Sequence, residues 1–253
     1  MPRTERKQSK TGIYHIMLRG INKQLIFEEP EDYTEFLSCL SDVKAISCFK
    51  LYAYCLMGNH VHLLLKEEAE PLSQIFRRLG ARYVFWFNWK YERTGHLFQD
   101  RFKSEPIESE EYFIMALMYL YQNPVKAGLC KHPKDYEWCS RRFLGMGGIV
   151  DEAELLGKAS IESIMEMENE EISLDFLEPR IGRRMAMSDE EAFGHIKKTG
   201  GVKSVMEFQS LDRESQGKTL AALHRLGASQ RQLARLSGLS RPVVARLCQG
   251  AGE

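Results

Sequence analysis

The sequence predicts an α+β fold: an antiparallel sheet with helices packed on one face, followed by a small all-helical unit. Three features carry this reading. Strand-like and helix-like patterns alternate as β-α-β-β-α-β-α up to a Gly145-Met-Gly-Gly148 break. An acid-rich stretch follows. Beyond residue 188 the apolar residues recur only at helical spacing.

Ile13–Ile21 has strand character, with Ile13, His15, Met17 and Arg19 on one side. Glu29–Ile46 reads as a helix, because Pro30 suits a first turn and Tyr33, Phe36, Leu37 and Leu40 recur at three-to-four spacing. Phe49–Met57 and Val61–Lys66 are apolar runs divided by the turn pair Gly58-Asn59, a hairpin pattern. Leu72–Glu92 is a long amphipathic helix, and Arg101–Ile107 a further strand. Glu110–Tyr121 is a helix that Ser109 can cap and whose first turn carries Glu110 and Glu111. It should end near Asn123-Pro124, since proline disfavours the helical conformation of the residue before it. Ser188-Asp-Glu-Glu191 is a capping box that opens a new helix. The expected division is 1–148, a 149–187 acidic linker, and a 188–253 helical domain.

Zero net charge conceals segregation. Residues 1–150 carry 21 basic and 18 acidic residues (+3), 151–190 carry 4 and 12 (−8), and 191–253 carry 10 and 5 (+5). Two nucleic-acid-facing parts on either side of an acidic connector would produce this pattern, as would acidic helices with solvated faces. No run reaches the roughly 18 apolar residues of a membrane span. Met1–Lys10 is basic and polar without an apolar segment behind it, so the expectation is a cytoplasmic, nucleoid-associated bacterial protein, monomeric or homodimeric. The six cysteines form no CxxC pair and read as reduced, buried thiols.

His60-Val61-His62 is the most informative motif. A strand of period two projects both imidazoles from one face. Taken alone, it describes core-facing histidines or half of a zinc site equally well, although no further Cys or His pair has zinc spacing. Tyr119 and Asn123, four apart on a helix, share a face, whereas Tyr121 is turned about 200° away at about 100° per residue. Two imidazoles and an amide oxygen can hold a divalent cation beside a phenol, which is what attack on a phosphodiester requires. A phenol with a pKa near ~10 needs a base or local positive charge to attack at neutral pH, and no base is evident.

Residues 11–145 resemble the REP-associated tyrosine transposases, a branch of the HUH single-tyrosine transposases. The matching segments are Tyr14-His-Ile-Met-Leu-Arg-Gly20, Met57-Gly-Asn-His-Val-His-Leu-Leu-Leu65, Gly95-His-Leu-Phe-Gln-Asp-Arg-Phe-Lys-Ser104, Tyr119-Leu-Tyr-Gln-Asn-Pro-Val-Lys-Ala-Gly-Leu129 and Trp138-Cys-Ser140. The resemblance implies a ferredoxin-like HUH nuclease sheet, His60, His62 and Asn123 as ligands of Mg²⁺ or Mn²⁺, and Tyr119 as nucleophile. It also implies cleavage and rejoining of single-stranded DNA at palindromic hairpins through a 5′-phosphotyrosine. Gly58 departs from the family's usual proline, Leu18 from a frequent asparagine, and Cys139 from a common serine.

For DNA contact the sequence offers Arg19, then Arg77, Arg78, Arg82, Arg101 and Lys103 among interleaved aromatics, most of which suit a core. Ser229–Gln249 has a helix-turn-helix pattern: caps at Ser229 and Ser240, a turn at Gly238, a core of Leu233, Leu239, Val244 and Leu247, and outward Arg241, Arg246 and Gln249. Such packing can also be purely structural. The competing expectation is a catalytically silent DNA-binding regulator of repetitive palindromic elements.

Overall fold

The computed structural model describes residues 7–99, 101–167, 189–226 and 228–250, without the side chains of residues 167, 191, 225, 249 and 250. Four strands, β1 (Ile13–Arg19), β2 (Lys50–Met57), β3 (His60–Lys66) and β4 (Lys103–Pro106), form one antiparallel sheet in the order β2-β3-β1-β4. Between them lie α1 (Pro30–Ser47) and α2 (Leu72–Lys90), and α3 (Glu110–Lys126) follows β4. The α+β class and the element order are as expected.

The expected single covered face is corrected. Tyr14, Ile16, Leu18, Leu63 and Leu65 pack under α1 and α2, while Ile13, Ala53, Cys55 and Leu64 pack under α3 on the opposite face. The physical reason is visible in the strands, whose consecutive residues are buried rather than alternating: seven of the eight positions of β2 are buried. Such runs belong to sheets covered on both sides. Trp138–Ser140 lies along the outer edge of β2, where Leu56 N–H donates to the Trp138 carbonyl (3.0 Å) and Tyr54 N–H to Ser140 Oγ (3.0 Å).

The expected stop at Asn123-Pro124 is also corrected, because α3 runs through Pro124 to Lys126. So near the C-terminus the missing N–H removes one ladder bond, and the chain closes with Ala127 N–H to the Asn123 carbonyl (3.0 Å) and Leu129 N–H to the Pro124 carbonyl (2.9 Å). Pro124 is buried. As expected, Ser109 caps this helix, accepting from Tyr112 N–H at 3.1 Å. Of the six cysteines, Cys39, Cys55 and Cys139 are buried, whereas Cys48 is exposed, contrary to expectation.

The first part of the expected acidic connector is folded. It forms α4 (Glu152–Leu156) and α5 (Ile161–Met167), and Leu155, Ala159 and Ile164 are buried in the core beneath α3. After it come α6 (Asp189–Gly200), α7 (Val205–Ser210), α8 (Arg213–Arg225), α9 (Gln230–Ser237) and α10 (Arg241–Gly250). Of the expected capping box, Ser188 and the Glu191 side chain lie outside the described residues. Phe193, Ile196, Phe208, Leu220, Leu233 and Val244 form a third core, which Leu25 from the chain after β1 enters. Gly238, between α9 and α10, is left-handed (φ 66°), and a Cβ there would lie 2.1 Å from Gln209 Nε2. Among the described residues no helix is long and apolar enough to cross a membrane.

Candidate active site

The site is built where β3 and β1 run side by side beneath α3. Period two puts His60 and His62 on one face, and their ring centroids lie 5.0 Å apart at 89°. The β1–β3 register places Arg19 opposite His60 and Met17 opposite His62, with His15 diagonal to the latter. Facing them from α3, the Tyr119 ring lies 5.7 Å from His62 and 5.7 Å from His15, edge-on to both. Asn123, one turn further on, is 9% exposed, and its Nδ2 donates to the Tyr119 carbonyl at 3.0 Å. The continuation of α3 past Pro124 is what holds Asn123 in helical register with Tyr119. Tyr121 turns away, as expected, and lines a separate cavity with Tyr54, Trp138 and Ser140.

Burial lowers the pKa of all three imidazoles: His15 to about 4, His60 to about 3 with help from the Arg19 charge, and His62 well below its ordinary value. The rings are therefore neutral at neutral pH, the state a ligand requires. His62 Nδ1 lies 2.9 Å from His15 Nε2, and His62 Nε2 is buried with no hydrogen-bond partner among the described residues. His60 Nδ1 lies 2.6 Å from Asn59 Oδ1. A buried, unpartnered imidazole nitrogen flanked by a second imidazole fits a cation better than it fits an apolar core. No cluster of three His, Cys, Asp or Glu side chains suits a metal among the described residues.

Two residues were missed at the sequence level. His15 orients His62, and its signal was its place on the Arg19 side of β1. Lys126 Nζ stands 5.1 Å from the centroid of the Tyr119 ring, and its signal was the 119-123-126 spacing on one helix face.

The expected DNA contacts divide. Arg101 and Lys103 are exposed at the β4 edge, and Arg77 is exposed on α2. Arg78 pairs with Glu70 and donates to Ser47 Oγ at 2.9 Å, and Arg82 pairs with Asp42 at 2.7 Å. All three α2 arginines belong to the layer across the sheet from the histidines, so they do not line the same cleft. Arg19 is half-buried near Asp189 and Arg235. Arg241 and Arg246 are exposed on α10, and the Gln249 side chain lies outside the described residues.

Residues 8–123 match the family model described as "Transposase IS200 like", a span containing all four residues of the constellation. The resemblance to the REP-associated tyrosine transposases holds. A provisionally named REP-associated tyrosine transposase of Haemophilus influenzae is 28% identical over 155 residues, covering 55% of this chain and 85% of that protein. A solved REP-associated tyrosine transposase bound to a REP hairpin superposes with a TM-score of 0.51 at 19% identity, over 59% of this chain and 90% of that one, which is a likeness of fold.

Proposed function

We propose that this chain is a divalent-metal-dependent transposase or endonuclease that cuts and rejoins single-stranded DNA at hairpin repeats. The observation that carries the reading is Tyr119, held 5.7 Å from His62 with Asn123 one turn behind it. His60 Nε2, His62 Nε2 and the Asn123 amide oxygen would hold Mg²⁺ or Mn²⁺, which when bound polarises a phosphoryl oxygen and offsets its developing charge. Tyr119 Oη attacks phosphorus as the bond to the 3′-oxygen breaks. The phenol proton leaves, the 3′-oxygen gains a proton as a free hydroxyl, and a 5′-phosphotyrosine remains. Attack by another 3′-hydroxyl reverses the step, so rejoining needs no ATP. Lys126 supplies the local positive charge that a phenol nucleophile requires.

In this reading residues 1–148 together with α4 and α5 are the nuclease domain, and 188–253 use α9 and α10 as a helix-turn-helix. Arg241 and Arg246 face DNA there, while Arg19, Arg101 and Lys103 guide the strand near the nuclease cleft. Arg77, Arg78 and Arg82 would serve a separate stretch of backbone. Incubating the protein with labelled repeat-hairpin DNA and Mn²⁺ should trap a covalent adduct that Tyr119→Phe abolishes. Equal adduct yield in the variant would refute the assignment.

One observation favours a second reading, a hairpin-binding regulator without catalysis: Tyr119 is 0% exposed. Cleavage requires α3 or the Tyr119 side chain to open towards the strand. Hairpin binding without cleavage under any divalent cation, indifferent to His60→Ala, would select this alternative.

A further inference from the structure

A hydrogen-bonded chain leads out of the imidazole pair through the β2–β3 turn. Asn59 Nδ2 donates to the Lys23 carbonyl (3.2 Å) and to Asp189 Oδ2 (3.2 Å). Both recipients accept only, so the NH₂ end of the amide must face them and its oxygen must face His60 Nδ1, 2.6 Å away. An oxygen without a proton places the imidazole proton on Nδ1 and leaves the lone pair on Nε2, the atom that would ligate. Asp189 opens α6, and its other oxygen accepts from Gln232 Nε2 (3.1 Å) and from Arg235 Nη2, both on α9. The side chains of Asp189 and Arg235 are only 12% and 11% exposed, so water competes little for these bonds. Next to it, Glu190 Oε1 accepts from Gly58 N–H at 3.1 Å. Two successive acids of α6 thus clasp the two successive turn residues. A proline at 58 could not donate this bond, and any Cβ there would lie 2.6 Å from Glu190 Oε1, so the Glu190 carboxylate would have to shift.

We propose that Asp189 is a positioning residue for the cation site: through Asn59 it sets the tautomer and orientation of His60, and so joins α9 to the histidine pair. The inference rests on the reading of His60 as a ligand. Without Asp189 the Asn59 amide loses one of two acceptors that orient it. It can then present NH₂ to His60 Nδ1, which moves the proton to Nε2 and removes the ligating lone pair.

Calorimetric titration of the full-length protein with Mn²⁺, with imidazole ¹⁵N spectra of the metal-free protein, tests this. Wild type should show His60 as the Nδ1–H tautomer. Asn59→Ala should weaken Mn²⁺ about 10- to 100-fold, and Asp189→Ala, acting at one remove, about 3- to 10-fold with a mixed His60 tautomer. Asp189→Asn leaves one acceptor oxygen for three donors; with that oxygen held by Arg235 and Gln232 its NH₂ faces Asn59, so Mn²⁺ affinity should fall about as far as in Asp189→Ala. Glu190→Ala, which loosens the neighbouring clasp without touching Asn59, should leave the Mn²⁺ affinity and the tautomer unchanged. Wild-type affinity and tautomer in Asp189→Ala overturn the relay alone, as does a loss in Glu190→Ala as large as in Asp189→Ala. Absence of Mn²⁺ binding by wild type overturns the ligand reading itself and the relay with it.

Discussion

Tyr119 is sealed between α3 and two neutral imidazoles, so its chemistry depends on what stands beside the ring. Lys126 Nζ is 5.1 Å from the ring centroid. Removing that charge should raise the phenol's pKa, so Lys126→Met should slow adduct formation about 10- to 100-fold at neutral pH and move the rise of the pH–rate profile to higher pH. Hairpin affinity should hold. His15 is fully buried with Nε2 against His62 Nδ1. His15→Phe fills the space without the nitrogen, and calorimetry should show Mn²⁺ binding weakened about 10- to 100-fold. The pairings within the constellation were legible because each rests on a local periodicity: two in a strand for His60 and His62, four in a helix for Tyr119 and Asn123. His15 was not, because a single histidine in an apolar strand has the same pattern whether it packs or orients. Asp189 was beyond reach for another reason, since its bond to Asn59 spans 130 residues.

At the scale of elements, α3 illustrates how a local rule yields to context. Pro124 costs one ladder bond, but its burial and the two closing bonds beyond it keep the last turn helical. The covering of both sheet faces was in principle readable. Leu63-Leu64-Leu65 and Tyr52–Met57 are unbroken apolar runs, and giving them weight over the element order would have placed α3 on its own face. The α9–α10 turn gives a sharper test. Gly238→Ala must hold a left-handed backbone and push its Cβ against Gln209, whose Nε2 donates to the Ser237 carbonyl at 3.1 Å. It should cost about 1–3 kcal/mol, read as a lower denaturation midpoint of the helical part.

Across the whole molecule, the helical part is seated on the first by buried polar contacts as well as by Leu25. Val205 N–H donates to Glu28 Oε2 (3.1 Å), and Lys197 Nζ to the Glu28 carbonyl (2.7 Å). Burial raises the Glu28 carboxyl to about 7. Because the folded pKa lies above the unfolded one, this group's contribution to stability is full below about pH 4.3 and is lost as pH rises through about 7. Glu28→Gln should therefore match wild type in melting temperature near pH 4.5 and exceed it at pH 8, by about 1–3 kcal/mol of stability. Gly58→Pro removes the donor to Glu190 and should lower the denaturation midpoint, by about 1–3 kcal/mol of stability. No sequence pattern announced this seating, since Leu25, Glu28 and Gly58 look locally like loop residues.

The strap formed by Trp138–Ser140 has a consequence for assembly. With Leu56 and Tyr54 amides already engaged by it, the outer border of β2 offers little to an incoming chain and cannot template end-on growth of the sheet. The opposite border is the four-residue β4, which begins at the exposed Lys103, a short and charged margin of the kind that discourages fusion. Two copies meeting in solution would therefore join through helices rather than by merging their sheets into one continuous surface.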